Sequence, residues 1–213
     1  MADNYLERKM EEYRTRTAGQ SGRRPLVTLS RLLQKNRSYR GYDTSFTVRE
    51  DQLRRIIEVN TKTPSARNQQ VLRFRPVLSD EAPKVLKHIR LGGALPELHL
   101  PFPGTEPNAF IIICSMVEED RYVDIDLGIS AQSMLLQATE IGLNGICIGA
   151  FDKESIKREF RLEPDPLLIL AIGRGLEKIE LTPIREGGSH AYYRENGTHY
   201  VPKVCLDDLM IKG

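Results

Sequence analysis

The stretch that decides the fold covers residues 110–148 and reads FIIICSMVEEDRYVDIDLGISAQSMLLQATEIGLNGICI. Its first part, residues 110–117, is a continuous β-branched run, which is typical of a strand buried on both faces. Residues 126–141 carry little charge and spread apolar side chains around most of a helical circumference, which predicts a long helix that is central or at an interface. Gly142 is suited to end that helix, and residues 146–148 predict a short strand.

Patterns outside this stretch predict further helices and strands. Leu6, Met10 and Tyr13 recur at helical spacing, and Pro25 favours the start of a second helix through Leu33. Thr47 and Glu50 have the spacing of a capping box for a third helix. The remaining predicted elements are strands at residues 74–78 and 167–172 and helices at residues 83–90 and 154–160.

The mixed order of these elements predicts an α+β fold, with residues 1–25 as an N-terminal extension and residues 26–213 as one domain. Residues 91–107 contain three glycines and four prolines, which excludes regular structure and favours a covering loop.

Composition narrows the class of protein. The 213 residues include 31 basic and 29 acidic side chains, and a net charge of +2 argues against a nucleic-acid partner held by a strong phosphate field. The longest apolar run, residues 109–114, is too short to span a bilayer, and the charged N-terminus does not resemble a signal peptide. Three scattered cysteines disfavour a disulfide framework or zinc site. We therefore expect a cytoplasmic protein without membrane, nucleic-acid or metal partners.

Several common motifs are absent or incomplete. Gly173 and Gly175 follow a predicted strand, but Lys178 occupies the place of the third glycine of a dinucleotide fingerprint. The sequence has no Walker lysine motif and no GxSxG elbow, and its four histidines lack metal-ligand spacing.

Three segments have compositions that suit ligand binding, and each has a simpler alternative. Residues 37–40, RSYR, place two guanidinium groups and a hydroxyl where they could hold a phosphate, or they are a charged helix end. Residues 63–70, TPSARNQQ, present amide donors and acceptors for a heterocycle edge, or they form a plain turn. Residues 147–151, CIGAF, allow close backbone approach to a flat ligand, or they are a tight strand–helix joint.

Taken together, these segments resemble the nitroreductase family of FMN-dependent oxidoreductases. The family's Arg-Ser-x-Arg-aromatic pattern is matched by Arg37-Ser38-Tyr39-Arg40-Gly41-Tyr42. The other matching patterns are Pro-Ser-x-x-Asn-x-Gln at residue 64, Asp-x-Gly-x-x-x-Gln at residue 126, Gly-Leu at residue 142 and Ile-Gly-x-Phe at residue 148. Val201-Pro202-Lys203 is similar to the family's C-terminal basic element. The resemblance covers about residues 26–209. The sequence departs from the family at Asn36 and Val204, where basic residues are frequent, and at Val71-Leu72, which replace Pro-Trp.

The resemblance implies an α+β homodimer with a central mixed sheet flanked by helices and one FMN at each of two subunit interfaces. It places Arg37, Ser38 and Lys203 at the phosphate and ribityl chain, and Arg40 near the phosphate or the pyrimidine edge. The remaining implied cofactor residues are Pro64, Ser65, Ala66 and Asn68, from the second subunit, Gln70 in the same segment, and Ile148, Gly149 and Ala150, along the N5 side of the flavin.

The implied activity is transfer of hydride from NADH or NADPH through FMN to a small-molecule acceptor such as a nitroaromatic or a quinone. The cofactor carries this chemistry, and we expect no catalytic acid or nucleophile from the protein. Two alternatives stay open. One is another flavin enzyme on the same scaffold, for example one that dehalogenates or oxidises a ring. The other is a non-catalytic protein, either a flavin-binding redox sensor or a member that has lost FMN.

Overall fold

The centre of the fold is a sheet of four strands. In the computed structural model, which describes residues 27–91 and 100–211, these are β1 (Leu72–Val77), β2 (Ala109–Ser115), β3 (Asn144–Ile148) and β4 (Asp165–Gly173). Their order is β1-β2-β4-β3, and every neighbouring pair is antiparallel. The α+β fold class is thereby confirmed. The predicted N-terminal helix and the extension at residues 1–25 lie outside the described residues.

The predicted mixed character of the central sheet is limited, because its four strands form only antiparallel ladders. In the strand–helix–strand unit at residues 109–148, β2 and β3 run in the same direction. However, β4 lies between them and pairs antiparallel with both. On this sheet, the described residues show parallel pairing only at a single bridge between Ser38 and Gly145.

The described residues contain six α-helices, four of which pack against the two faces of the sheet. They are α1 (Leu29–Lys35), α2 (Glu50–Glu58), α3 (Ala82–Leu86), α4 (Arg121–Glu140), α5 (Lys153–Phe160) and α6 (Leu206–Leu209), with two 3₁₀ turns at Val59–Thr61 and Ala66–Asn68. Alternation along β2 divides the core between two layers: Ile111 and Ile113 face α2 and α4, whereas Phe110 and Ile112 face α3 and α5. All seven residues of β2 are buried, which confirms the prediction for this strand.

The helix boundaries differ from the predicted ones because other residues cap them. The long helix α4 starts five residues earlier than predicted, since the Asp120 carboxylate accepts hydrogen bonds from the backbone N–H groups of Tyr122 and Val123 at 2.8 Å. The predicted Thr47–Glu50 capping box is wrong: α2 begins after Arg49, whose N–H donates to Gln52 Oε1 at 3.0 Å. The helix predicted at residues 83–90 ends already at Leu86.

A second sheet follows the central one in the chain. It contains β5 (Lys178–Ile184), β6 (Tyr193–Glu195) and β7 (Thr198–Val204) in the order β5-β7-β6, with β5 and β7 parallel and β6 and β7 antiparallel. Asn196 and Gly197 join β6 to β7, and both have positive φ angles, as expected in a two-residue hairpin turn. Within residues 27–91 and 100–211, no helix is both long and apolar enough to cross a membrane.

Candidate functional site

A cavity of about 320 Å³ lies where residues 36–40, α4, the edge of β3 and the second sheet meet. We call it the basic cavity. It brings Arg37, Ser38, Arg40 and Lys203 together, although Lys203 is far from the other three in sequence. The other lining residues are Asn36, Gln132, Leu135, Gly145, Cys147, Ile179, Tyr192, His199 and Val201.

Backbone contacts with β3 fix the course of residues 36–40. Ser38 forms its parallel bridge with Gly145, and the Tyr39 N–H donates to the Gly145 carbonyl at 3.2 Å. The Tyr39 ring lies over Gly175, where an added Cβ would come within 2.2 Å of the ring, so the backbone of position 175 has no room for a side chain. The Arg40 N–H donates to the Glu177 carboxylate, which also pairs with Arg194. These contacts hold the guanidinium groups of residues 37 and 40 at the cavity.

The basic cavity contains buried donors without acceptors. Arg37 Nε, Arg40 Nε and both ring nitrogens of His199 have no hydrogen-bond partner among the described residues. Burial lowers the pKa of Arg37, which reflects the cost of enclosing its charge, with Tyr39 opposing that shift. Buried polar atoms are normally paired. Positive groups with spare donors therefore suit an anionic ligand such as a phosphate.

The alternative interpretation of Arg37 as part of a helix end also has support. Its Nη2 donates to the Leu33 carbonyl in the last turn of α1 at 2.5 Å. This contact uses one end of the guanidinium group and leaves Nε unpaired. Arg37 can therefore cap α1 and still offer a donor to the cavity.

Residues 64–70 are positioned by the carboxylate of Asp126 on α4, not by the basic cavity. Asp126 is 4% exposed and accepts hydrogen bonds from Ser65 Oγ and the Ala66 N–H, each at 2.7 Å, and from Gln69 Nε2 at 3.0 Å. Burial alone would raise the pKa of Asp126, but these three hydrogen bonds outweigh it and hold the pKa below its usual value. Asp126 is therefore ionised at neutral pH.

The same segment has an unusual backbone. Arg67, Asn68 and Gln70 have φ angles of +53°, +53° and +48°, in the left-handed region that non-glycine residues rarely adopt. Pro64, Ser65 and Gln70 line a second cavity of about 930 Å³ beside β1 and α2. Of the five predicted residues here, Pro64, Ser65, Ala66, Asn68 and Gln70, none lines the basic cavity of the same chain.

Helix α4 organises both groups of residues. Asp126 holds residues 65–69, whereas Gln132 Oε1 accepts a hydrogen bond from Asn36 Nδ2 at 3.4 Å beside the basic cavity. Gln132 lies six positions after Asp126, which places the two residues about 9 Å apart along the helix axis and about 120° apart around it. The Asp-x-Gly-x-x-x-Gln pattern thus has a structural role at each end.

The end of β3 connects the basic cavity with another one. Cys147 lines the basic cavity, and Ile148 is buried in the core. Gly149 and Ala150 are exposed, and a Cβ added at Gly149 would meet no atom within 4 Å. Ala150 lines a cavity of about 410 Å³ and accepts a hydrogen bond from the Arg90 N–H at 2.8 Å. The exposed backbone here is open to close approach by a flat ligand.

Sequence reasoning missed several residues of the basic cavity, above all His199 and Tyr192. A signal for His199 was present. The Asn-Gly turn at residues 196–197 predicts a hairpin, and side chains at every second position of the following strand share a face. His199, Val201 and Lys203 do line the cavity together. The contribution of Glu177, which accepts a hydrogen bond from the Arg40 N–H, depends on tertiary packing and has no local signal.

Comparisons with known proteins agree with this fold. A sequence model described as the nitroreductase family matches residues 33–174. The chain belongs to the nitroreductase family, which confirms the resemblance seen in the sequence.

The individual relatives share either a low sequence identity or only a short aligned segment with this chain. A protein of Methanocaldococcus jannaschii, provisionally named a nitroreductase, is 37% identical over 57 residues, which is 27% of this chain and 29% of that protein. The match thus spans less than a third of that curated relative's length.

Three solved structures share the fold. A nitroreductase family protein from Streptococcus pneumoniae is 18% identical with a TM-score of 0.63, covering 87% of this chain and 100% of its own. A protein from Staphylococcus epidermidis, provisionally described as an NAD(P)H:FMN oxidoreductase, is 23% identical with a TM-score of 0.57, covering 73% and 92%. A provisionally named nitroreductase from Exiguobacterium sibiricum, in complex with FMN, is 18% identical with a TM-score of 0.58, covering 73% and 92%.

Proposed function

We propose that this protein is an FMN-dependent oxidoreductase that takes hydride from NADH or NADPH and passes electrons to a small-molecule acceptor such as a nitroaromatic or a quinone. The observation that carries the proposal is the basic cavity, where Arg37, Arg40 and Lys203 converge with unpaired buried donors. Family membership supports the same class of chemistry. The solved structure of the Exiguobacterium relative is a complex with FMN, and NAD(P)H and FMN occur in the name of the Staphylococcus relative.

The residues of the basic cavity fit a flavin mononucleotide. A phosphate monoester needs several donors and compensating positive charge, and guanidinium and ammonium groups supply both. In this proposal Arg37, Ser38 and Lys203 hold the phosphate and the ribityl chain. The chain lacks the complete glycine fingerprint of a dinucleotide site, which favours FMN over FAD.

Bound FMN would supply the two-electron chemistry, and the side chains would bind and orient it. The Arg40 guanidinium is held by Nη1 donation to the Ser38 carbonyl at 3.2 Å and lies 5.3 Å from the centre of the Tyr192 ring. A cation fixed in this way would stabilise negative charge at the pyrimidine edge or on the phosphate. The exposed backbone at Gly149 and Ala150 would leave space along the other edge of the flavin ring.

We further propose a homodimer in which Pro64, Ser65, Ala66, Asn68 and Gln70 reach the flavin of the partner subunit. Two observations support this. The segment is held away from the basic cavity of its own chain by Asp126. In addition, Tyr122, Ile125, Ile129 and Leu136 form an exposed to half-buried apolar stripe along α4. An apolar stripe of this kind suits a subunit interface.

The visible spectrum of the purified protein after incubation with FMN and gel filtration tests the proposal. Retained flavin bands, together with oxidation of NADH or NADPH that depends on added quinone or nitroaromatic, would support it. Retained flavin without turnover would favour a redox sensor. A colourless protein after reconstitution would contradict flavin binding altogether.

A further inference from the structure

His199 is a buried histidine whose ring has no hydrogen-bond partner. It lies on β7, is 3% exposed, and neither Nδ1 nor Nε2 contacts a donor or acceptor in the part of the chain that the structure describes. An imidazole always carries at least one N–H donor. Such a donor is rarely left unpaired in a protein interior, so an unpaired one suggests a missing ligand.

The surroundings of His199 do not offer an acceptor. Glu177, the neighbouring carboxylate, already accepts from the Arg40 N–H and from Arg194. The Tyr192 ring meets the imidazole edge-on with the ring centres 5.2 Å apart, which fixes the orientation of the imidazole without pairing its nitrogens. The open side of His199 is the basic cavity, which it lines two residues from Val201 and four from Lys203.

The charges around His199 are mostly positive. The titratable and charged groups that face it or the cavity are Arg37, Arg40, Cys147, Glu177, Tyr192, Arg194 and Lys203. Burial lowers the pKa of His199, Arg194 and Arg40 lower it further, and Glu177 opposes them. The ring is therefore neutral at neutral pH while no anion is bound, and a dianion in the cavity would offset the positive field.

We infer that His199 donates a hydrogen bond to a phosphate monoester bound in the basic cavity and takes up a proton as that ligand binds. The inference rests on the proposed function, since FMN is the phosphate monoester named there. It adds a binding residue outside the segment matched by the family, which ends at residue 174. It also makes the affinity for the ligand dependent on pH.

The test compares the wild type with His199→Leu, which removes both ring nitrogens, and with His199→Gln, which restores one donor. His190→Gln is the matched control, because His190 is exposed and does not line the cavity. Fluorescence titrations give the dissociation constants of FMN and of riboflavin, which lacks the phosphate. We expect His199→Leu to weaken FMN binding about ten- to a hundredfold, the scale of a hydrogen bond to a charged group. Riboflavin binding should change by less than about twofold, and His199→Gln should recover part of the FMN affinity.

Two measurements detect the proton. Calorimetry of FMN binding at pH 7.5 in Tris and in HEPES should show more proton uptake by the wild type than by His199→Leu, since both titrations share the ionisation of the FMN phosphate. NMR of the labelled imidazoles should show the His199 signals moving toward the protonated form when FMN or inorganic phosphate is added, whereas the His190 signals should stay in place. The NMR arm needs no variant and remains decisive if His199→Leu fails to fold.

The outcomes separate this inference from the proposed function. If the wild type binds FMN and His199→Leu binds it equally tightly, the inference is wrong and the flavin proposal stands. If the wild type does not bind FMN, the flavin proposal fails. In that case, a shift of the His199 signals with inorganic phosphate would still support phosphate binding at His199. The absence of such a shift would overturn the inference about His199. An equal loss of FMN and riboflavin affinity in His199→Leu would also overturn it, since that result assigns the residue a purely structural role.

Discussion

The carboxylate of Asp126 accepts a hydrogen bond from Ser65 Oγ at 2.7 Å, joining the central helix to a turn 61 residues earlier in the chain. With the bonds from Ala66 and Gln69, this contact sets the shape of a segment in which three non-glycine residues have positive φ. Such a backbone persists only where its surroundings impose it. Asp126 is thus a positioning residue for the turn.

We predict that Asp126→Asn lowers the free energy of unfolding by about 1–3 kcal/mol, because an amide is a weaker acceptor for three buried donors. The pKa of Asp126 is lowered in the folded state, so its contribution is present above the unfolded pKa near pH 4 and is lost as pH falls further. The stability gap between variant and wild type should therefore shrink below about pH 4. Urea titrations of both proteins from pH 3 to pH 7 measure this difference in the free energy of unfolding. The exposed Asp124→Asn serves as the control. A difference in the free energy of unfolding that does not change with pH would contradict an ionised Asp126 in the folded protein.

Arg37→Ala should weaken FMN binding by about 1–3 kcal/mol, since it removes a charged donor from the basic cavity. Titration of the apoprotein with FMN, followed by flavin fluorescence, measures the change. Lys35→Ala is the control, because Lys35 is an exposed cation at the end of the neighbouring helix α1 and does not line the cavity. Equal dissociation constants for Arg37→Ala and the wild type would remove Arg37 from the site.

We predict that the purified protein releases FMN, not FAD, on heating. The reason is that Arg37, Arg40 and Lys203 converge at one cavity of about 320 Å³, while the sequence lacks a complete dinucleotide fingerprint. Chromatography of the heat-released cofactor against FMN and FAD standards gives the answer. Recovery of FAD would mean that the adenylate half has a site elsewhere.

The protein should be a homodimer at low micromolar concentration. Obligate interfaces are often larger than about 2,000 Å² and apolar. The side chain of Ile125 on α4 fits such an interface, because it is apolar and 45% exposed within one chain. Light scattering should give twice the mass of 24.2 kDa. Ile125→Glu should shift the protein toward monomer and lower flavin occupancy, whereas Leu176→Glu, at an exposed apolar position outside the stripe, should do neither. A wild-type monomer that keeps its flavin would defeat the dimer proposal.

Shortening the loop at residues 91–107 should change acceptor preference and KM while FMN stays bound. Residues 92–99 lie outside the described part of the structure, but the loop's C-terminal end is anchored beside the site. The Thr105 carbonyl accepts from the Tyr42 N–H at 2.9 Å, and the Gly104 carbonyl accepts from Thr44 Oγ1 at 3.3 Å. Steady-state kinetics with a quinone and a nitroaromatic compare the wild type with a variant lacking residues 93–98. Unchanged constants for both acceptors would show that the loop does not cover the site.

The local patterns in the sequence predicted single elements well. The apolar run of β2, the long helix α4 and the charged helix α5 all occur where periodicity placed them, because each buries a face that its own residues define. The order of the strands within the sheet was harder to predict from the sequence. Spacing along the chain does not show that β4 lies between β2 and β3, and the sparse patterning of β5, β6 and β7 gave no strand prediction.

The site was predictable only in part. The structure brings Arg37, Ser38, Arg40 and Lys203 to one cavity, whereas their role toward FMN stays a prediction. The contacts of Asp126 and Glu177 were not predictable, because each depends on segments that meet only after folding. An isolated carboxylate or histidine in a sequence looks the same whether it is solvated or buried.

Gly175 shows how the tolerance of one position can be set by a distant one. It does not line the basic cavity, yet any side chain there would collide with the Tyr39 ring, between Ser38 and Arg40. Displacement of Tyr39 would pull both of its neighbours away from the cavity. A library of random variants screened only for flavin colour would therefore score position 175 as a cofactor contact. The screen would in fact be selecting a residue without a Cβ, which leaves room for the Tyr39 ring.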